Sequence, residues 1–260
     1  MQLTVLTENS AGGKFGAEHG LSYLIEAAGT KLLFDTGYSN LFLRNAELLN
    51  INLETEVDTI VLSHGHWDHG DGLQHLEGKT LITHPDSFIK RYRKNDHSNV
   101  GLKLSQDQAA SKFRLVTTKE PYYITSSMLF LGEIPRKNDF ESNLSTFVDQ
   151  KGKVDVIPDD SGLAVIRDNQ LIIVSGCAHS GICNMISHAS EITGIRKIKA
   201  VVGGFHLKHQ SLQLKKTIQF FKEKKVSHIY PSHCTELPAL SAFFENFGIR
   251  QLKSGMVLHL

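Results

Sequence analysis

The sequence has few cysteines and no regular spacing among them. In 260 residues it contains three, Cys177, Cys183 and Cys234, and no CxxC pair. Disulfide frameworks and zinc knuckles need more cysteines at repeated spacings, so both classes are excluded. Cys177 and Cys234 nevertheless each lie within two residues of a histidine, a residue type of which the chain has 14.

The chain also lacks a long apolar run and an excess of charge of either sign. The first residues, MQLTVLTENS, have no basic or apolar signal region, and no stretch approaches about 18 uninterrupted apolar residues. The 28 Lys and Arg balance 27 Asp and Glu, which gives no reason to expect nucleic acid or a membrane as partner. We therefore predict a cytoplasmic protein whose partner is a small-molecule substrate. The oligomeric state stays open.

The apolar pattern predicts an α+β fold. Alternating apolar residues predict hairpins at 20–37 and 162–176, and helical spacing predicts helices near 181–193, 211–224 and 237–247. Residues 86–120 lack such patterns and are interpreted as an inserted loop or cap within a single domain, 1–260. Strands come first in the chain, and helices occur between strands in both its N-terminal and C-terminal halves. This order predicts two mixed sheets packed face to face with helices outside.

Residues 60–71, IVLSHGHWDHGD, crowd three histidines and two aspartates behind an apolar strand. His64 and His66 are two positions apart, which places them on one side of an extended chain but not on one face of a helix. The segment is therefore interpreted as a strand that ends in a loop. Such a loop can direct His64, His66, Asp68 and His69 toward two neighbouring points, as metal ligands would be.

Three further histidines follow apolar strands. His179 comes after LIIVSG, His206 after KAVVGG and His233 after HIYPS, and each exit is marked by Gly or Pro. Strand ends deliver side chains to a common edge, so we expect these histidines to join the same site.

With these residues in view, the sequence resembles the metallo-β-lactamase superfamily. HGHWDH is similar to its HxHxDH signature, LLFDTG at 32–37 is similar to the preceding hairpin with its supporting aspartate, Asp35, and PSH occurs near the end. The resemblance implies an αββα sandwich, mostly hydrolytic activity and two metal ions at one edge. It implies His64 and His66 as ligands of the first ion, and Asp68, His69 and His233 as ligands of the second.

The middle motifs depart from the common family pattern. Asp160 (or Asp159) stands where a third histidine is expected, and Cys177 stands near the place of a bridging aspartate. His179 is additional and can supply the missing nitrogen, with Asp160 as an oxygen ligand or an orienting group. Cys177 is interpreted as a small buried hydrophobe rather than a thiolate ligand. GCAHSG, GGFH and PSHCTE resemble the branch named for a 7,8-dihydropterin-6-methyl-4-(β-D-ribofuranosyl)-aminobenzene-5'-phosphate synthase.

The resemblance and the residues together predict hydrolysis by a dinuclear centre. Two divalent ions about 3.5 to 4 Å apart, zinc or alternatively iron or manganese, activate a water. Asp68 binds metal and takes a proton, and His206 protonates the leaving group. The substrate is a phosphate ester, phosphodiester, lactone or similar small molecule, phosphorylated or pterin-like. Alternatives are a non-hydrolytic synthase of pterin or methanopterin-type cofactor metabolism, a metal-bound sensor without turnover, and iron-based redox chemistry.

Overall fold

The computed structural model describes residues 1–141 and 145–260. The strands are β1 (Gln2–Thr7), β2 (Ser22–Ala27), β3 (Thr30–Phe34), β4 (Thr59–Val61), β5 (Thr80–Thr83), β6 (Arg91–Arg93), β7 (Arg114–Thr117), β8 (Tyr122–Thr125), β9 (Met128–Phe130), β10 (Phe147–Asp149), β11 (Val154–Asp155), β12 (Gly162–Arg167), β13 (Gln170–Ser175), β14 (Ile198–Gly204), β15 (His228–Ser232) and β16 (Val257–His259). The α-helices are α1 (Leu41–Leu48), α2 (Leu53–Glu56), α3 (Trp67–Gly70), α4 (Gln106–Lys112), α5 (Ile182–Thr193), α6 (Leu212–Glu223) and α7 (Leu237–Phe247), and Asp71–His75 and Pro85–Phe88 are 3₁₀ turns.

The strands form two large mixed sheets and one small sheet. The first has the order β16-β1-β2-β3-β4-β5-β7 and the second β15-β14-β13-β12-β9-β8, while β11-β10-β6 form the small sheet. The predicted hairpins are β2–β3 and β12–β13, both antiparallel. The later strands β13, β14 and β15 run parallel, because a helix separates each from the next.

Side-chain alternation divides the core into layers. In β13, Ile172 and Val174 pack between the two large sheets, whereas Leu171 and Ile173 pack under α5, α6 and α7. The outer face of the first sheet is covered by α1, α2 and α4 through a third cluster that includes Phe42. Successive strand residues point to opposite faces, so apolar residues on both faces bury each strand. The predicted four-layer αββα sandwich is confirmed.

The parallel strands place the histidine-bearing loops at one edge. Strands β3 and β4 are parallel neighbours in the first sheet, and β13, β14 and β15 are parallel neighbours in the second. Their carboxyl ends release the loops that carry Asp35, His64, His179, His206 and His233. The fold thereby brings together residues that are up to about 200 positions apart in the chain.

Residues 86–120 contain more regular structure than their pattern indicates. Strand β7 closes one edge of the first sheet beside β5, helix α4 has a capping box at Ser105 and Gln108, and β6 pairs with β10. These elements are three to seven residues long, too short for periodicity to mark them. The interpretation as an insertion in a single domain stays a prediction. In the described part of the chain, no helix is both long and apolar enough to cross a membrane.

Candidate metal centre

The histidine turn begins where β4 ends and is buried. His64 and His69 have no exposed surface, and His66 and Asp68 are almost as deeply buried. Helix α3 starts immediately after His66, so the predicted loop contains one helical turn. This turn places Asp68 beside His233, while the His69 ring stays against the His64 ring, 4.3 Å between centroids. Burial of so many imidazoles in one place is costly unless each has a partner.

Potential ligand atoms converge in four groups, three of which share a member with another, and all atoms of a group lie within 4.8 Å of one another. We call them the first, central, thiol and outer groups. The first group is His64, His66 and His179; the central group is His64, His69 and Cys177; the thiol group is Cys177, His206 and Cys234; and the outer group is His19, Asp68 and His233.

The spacing of the ring nitrogens fits metal coordination. His64 Nε2 lies 3.0 Å from His66 Nδ1, and His69 Nε2 lies 3.1 Å from His233 Nε2. Two nitrogens bound tetrahedrally to one zinc at about 2.0 to 2.1 Å would be about 3.3 Å apart. The Nε2 atoms of His66 and His179 are also buried with no hydrogen-bond partner among the described residues. Metal ions would satisfy these clustered nitrogens, so the residues fit the two-ion centre that the sequence predicts.

Asp35 fixes the orientation and the tautomer of two of these histidines. Its Oδ2 accepts the Nδ1–H of His69 at 2.7 Å and the hydroxyl of Ser63, also at 2.7 Å. Since the Ser63 hydroxyl donates its proton to Asp35, it accepts from Nδ1 of His64 at 2.9 Å. In their neutral forms, both histidines therefore carry the proton on Nδ1 and turn an unprotonated Nε2 toward the centre. Gly176 is required here, because a Cβ at that position would lie 2.1 Å from Ser63 Oγ.

The outer group is held from the loop that follows β1. Asn9 Oδ1 accepts the Nδ1–H of His233 at 3.0 Å, which leaves Nε2 of His233 facing His69 and Asp68. Asp68 Oδ2 lies 3.2 Å from His19 Nε2 and 3.4 Å from His233 Nε2. This carboxylate is therefore surrounded by imidazoles.

The protonation states suit cation binding. Burial lowers the pKa of His64, His66 and His179 well below the usual value, so all three are neutral near pH 7. Burial also disfavours charge on His69, but Asp68 and Asp35 overcome this effect and raise its pKa to about 9. A bound cation would displace that proton.

A carboxylate and a thiol in the centre are also perturbed. Burial alone would raise the pKa of Asp68, yet the neighbouring His69, His19 and His233 hold it well below the usual range. Burial likewise opposes ionisation of Cys234, but hydrogen bonds from Cys177 and His206 lower its pKa well below the usual value. The centre therefore offers both a hard carboxylate and a soft sulfur.

Four residues around the site have a left-handed backbone conformation. Asp35, Ala178, His206 and His233 all have positive φ values, between 49° and 56°. Left-handed conformations cost free energy in residues other than glycine and persist where the surroundings enforce them, which is common at functional sites. These turns direct the side chains at the strand ends inward.

The structure does not bring Asp159 or Asp160 into any of the four groups found in the described residues. Asp160 Oδ2 instead accepts from the backbone N–H of Ser180 at 2.9 Å and from the Ser180 hydroxyl. It thereby orients the loop that carries His179. Asp159 Oδ2 accepts the N–H of Gly65 at 2.7 Å, and so holds the turn between His64 and His66.

A fully buried arginine completes that support. Arg91 donates from Nε to Asp155 at 2.7 Å and from its terminal nitrogens to both oxygens of Asp159. Because Arg91 lies on β6, the small sheet is tied to the histidine turn. A single arginine in a polar segment gives no sequence signal of this role.

His206 and the two thiols lie beside the histidines. The His206 ring centroid is 4.3 Å from that of His179, and its Nδ1 is buried with no hydrogen-bond partner in the part of the chain that the structure describes. Cys177 Sγ lies 3.2 Å from Nε2 of His69. Cys177 is buried, as expected for a small hydrophobe, but it is also within reach of the ligand nitrogens. The sequence does not predict Cys234 or His19, although the adjacent His233 is a signal for Cys234.

With fold and site described, the class of protein can be stated: this chain belongs to the metallo-β-lactamase superfamily. The sequence profile of the Metallo-beta-lactamase superfamily matches residues 15–184. The chain also has the fold of the crystal structure of a metal-dependent hydrolase of the beta-lactamase superfamily. The two share 30% identity and a TM-score of 0.89, over 100% of this chain and 99% of the other.

Two relatives from Methanocaldococcus jannaschii are similar over almost the entire chain. One is 7,8-dihydropterin-6-methyl-4-(beta-D-ribofuranosyl)-aminobenzene-5'-phosphate synthase, 32% identical over 99% of this chain and 96% of its own length. The other is an uncharacterized protein, 34% identical over 92% of each chain. The resemblance inferred from the motifs is confirmed at both the superfamily and the branch level.

Proposed function

We propose that this protein is a cytoplasmic metal-dependent hydrolase of small phosphate esters, phosphodiesters, lactones or similar substrates. The observation that carries the proposal is the convergence of ring nitrogens from the turn after β4 and the loop after β15 at one edge of the sandwich. His64 Nε2 meets His66 Nδ1 at 3.0 Å, and His69 Nε2 meets His233 Nε2 at 3.1 Å. Two such pairs in one site support two ions rather than one.

The residues divide into two sets of ligands. His64, His66 and His179 would hold the first ion. Asp68, His69 and His233 would hold the second. When bound, a pair of divalent ions, with zinc expected, supplies an activated water near neutral pH and stabilises negative charge on the reacting ester.

Protein side chains supply the proton transfers. Asp68 Oδ2 lies 3.4 Å from His233 Nε2 and can accept a proton from the attacking water. His206, whose Nδ1 is unpartnered among the described residues, donates a proton to the leaving-group oxygen. Asp35 and Asn9 keep the ligand imidazoles in one tautomer during the reaction.

The experiment is an activity screen of purified protein loaded with zinc, iron or manganese. The substrates are a p-nitrophenyl phosphomonoester, a bis-p-nitrophenyl phosphodiester and a homoserine lactone. We expect turnover of at least one ester class, abolished in His66→Ala and retained in His75→Ala, which changes an exposed histidine outside the four groups. Metal-loaded protein that turns over none of them would overturn the hydrolase proposal.

A second candidate is a non-hydrolytic synthase of pterin-type cofactor metabolism. It is favoured by the 32% identity, over 99% of this chain, to the relative named 7,8-dihydropterin-6-methyl-4-(beta-D-ribofuranosyl)-aminobenzene-5'-phosphate synthase. The same metal centre would then serve bond formation. Mass spectrometry of native protein distinguishes the candidates, since a pterin-like ligand retained through purification, together with inactivity on the esters, favours the synthase.

A further inference from the structure

A pocket lies directly over the candidate metal centre. It has a volume of about 290 Å³, and His66, Asp68, His179, His206 and His233 all contribute to its floor. Its other lining residues include two large aromatic rings and two cationic side chains, namely Trp67, Phe147, Arg93 and Lys208. A volume of this size holds a small molecule.

The small sheet places Arg93 on the pocket side. Arg93 on β6 is directly opposite Phe147 on β10 in an antiparallel pair, and directly opposed residues share a face. The Phe147 ring lies 4.7 Å from the His66 ring and 5.8 Å from the His179 ring, centroid to centroid. The side of the sheet that carries Arg93 is therefore the side that faces the candidate ligands.

Arg91 and Arg93 share one face of β6 but differ in their partners. Arg91 is buried and its guanidinium is fully engaged by Asp155 and Asp159. Arg93 is exposed, and within residues 1–141 and 145–260 no carboxylate lies within ion-pair distance of it. The other cation of the pocket, Lys208, has Glu236 at 3.9 Å as a counter-charge. Arg93 thus lacks an ion-pair partner among the described residues, and the Asp96 carboxylate attracts it only at longer range.

The aromatic lining is positioned by neighbouring rings. Trp67 packs edge-to-face against Tyr38 at 4.8 Å between centroids, and the ammonium of Lys103 lies over the Tyr38 ring, 5.0 Å from its centroid. Phe147 is held against the imidazoles of His66 and His179. Flat apolar surfaces of this kind bind a planar ring.

We propose that the pocket binds a ring-bearing oxyanion, with the guanidinium of Arg93 on a phosphate or carboxylate group and Trp67 and Phe147 against the ring. A guanidinium donates two parallel hydrogen bonds to either anion. This inference rests on the proposed function insofar as it assigns the pocket to the substrate. It narrows that substrate from small esters in general to anionic, ring-bearing ones, and makes Arg93 a specificity-determining residue.

The test measures binding without turnover. Phenylphosphonate, benzoate, methylphosphonate and benzyl alcohol are titrated calorimetrically into zinc-loaded wild-type protein and into the Arg93→Gln and Arg93→Lys variants. Arg44→Gln, which changes an exposed arginine on α1 outside the pocket, is the matched control. We expect Arg93→Gln to weaken binding of phenylphosphonate or benzoate about 10- to 100-fold, as loss of a charge-assisted hydrogen bond does. Arg93→Lys should recover part of the affinity, and benzyl alcohol should not distinguish the variants.

Each outcome decides the proposal. The aromatic anion that shows the larger loss identifies the recognised group as phosphate or carboxylate. If the wild type, Arg93→Gln and Arg44→Gln bind phenylphosphonate with the same affinity, and likewise benzoate, the role of Arg93 is overturned. Equal affinity of methylphosphonate and phenylphosphonate would remove the ring from the proposal. Arg93-dependent binding in a protein that hydrolyses no ester would leave this inference standing and defeat the hydrolase proposal, whereas hydrolysis with Arg93-independent binding would do the reverse.

Discussion

Asp35→Asn is expected to disable metal binding while leaving the shape of the site almost unchanged. The aspartate is fully buried and accepts three hydrogen bonds, each 2.7 Å long, from Ser63 N–H, Ser63 Oγ and His69 Nδ1. In the variant, the oxygen of the new side-chain amide can keep the bond from Ser63 N–H. The amide nitrogen then faces the Ser63 hydroxyl and His69, where the wild type has an acceptor.

This exchange reverses two tautomers. His69 Nδ1 must now accept from the amide, so the ring proton moves to Nε2, which points into the centre. Ser63 Oγ also accepts from the amide and donates to Nδ1 of His64, which moves the His64 proton to Nε2 as well. Each ion site therefore loses one unprotonated ligand nitrogen.

The expected magnitude is that of a lost supporting contact to a metal ligand. Such changes weaken metal binding about 10- to 100-fold, or about 1.4 to 2.7 kcal/mol for each ion. Competition titration with a chromophoric chelator measures both affinities, and ¹⁵N shifts of the imidazole nitrogens report the tautomers. Asp168→Asn is the matched control, because Asp168 is exposed in a hairpin turn with φ 51°, where Asn is well tolerated. Wild-type affinity for both ions in Asp35→Asn would refute the reasoning.

Three further results are expected. His206→Ala should keep its bound metal, because other side chains supply the ligands. Its rate of hydrolysis should fall about 100- to 10,000-fold, and least on esters whose leaving groups need no proton. Loss of an ion would instead make His206 a ligand. Arg91→Met should lower the free energy of unfolding, measured in urea, by about 3 to 5 kcal/mol, because it leaves buried Asp159 unpaired. Arg93→Met, which changes an exposed arginine, should alter it by less than about 0.5 kcal/mol. Equal losses of stability in the two variants would contradict the role of Arg91. Metal-free protein should lose stability as the pH falls from about 6.5 to about 5, by up to about 1.4 kcal/mol per pH unit for each histidine of the first group; a pH-independent urea midpoint across this range would contradict it.

The sign of the pH effect follows from the direction of the pKa shifts. The folded pKa values of the first group lie below the unfolded value of about 6.5, so the unfolded chain binds more protons and stability falls as the pH falls. His69 acts in the opposite sense, because its pKa is raised to about 9 in the folded protein. Its contribution is complete below about pH 6.5 and is lost as the pH rises toward about 9. These four histidines together therefore stabilise the metal-free protein most near about pH 6.5 to 7.

Much of the fold can be predicted because its apolar strands and helices are long or sharply bounded. The helix predicted at 237–247 coincides with α7, and the strands before His179, His206 and His233 occur as β13, β14 and β15. Their shared edge follows from parallel pairing, which the sequence order of strands and helices already favours. The three-residue strands β6 and β10 lie in polar stretches and carry too few apolar residues for a periodic signal.

The sequence predicts those site residues that combine an unusual residue type with a position at the end of a strand or in a turn. Histidines at strand exits and in the HxHxDH turn stand out because imidazole is rare in ordinary turns. That Asp160 approaches the ions stays a prediction. Its Oδ2 is engaged by Ser180, a contact between positions 20 apart that no local pattern encodes, and its Oδ1 has no partner among the described residues. The sequence does not predict the roles of Arg91 and His19, because those roles also depend on tertiary contacts.

The metal content of the protein tests the central claim most directly. Inductively coupled plasma mass spectrometry, after equilibrium dialysis against zinc, gives the ions bound per chain for wild type, His66→Ala, His69→Ala and the control His75→Ala. We predict two ions per chain in wild type and in the control, and at most one in each of the other variants, with the fold retained by circular dichroism. Full occupancy in both His66→Ala and His69→Ala, or fewer than two ions in wild type, would contradict the account.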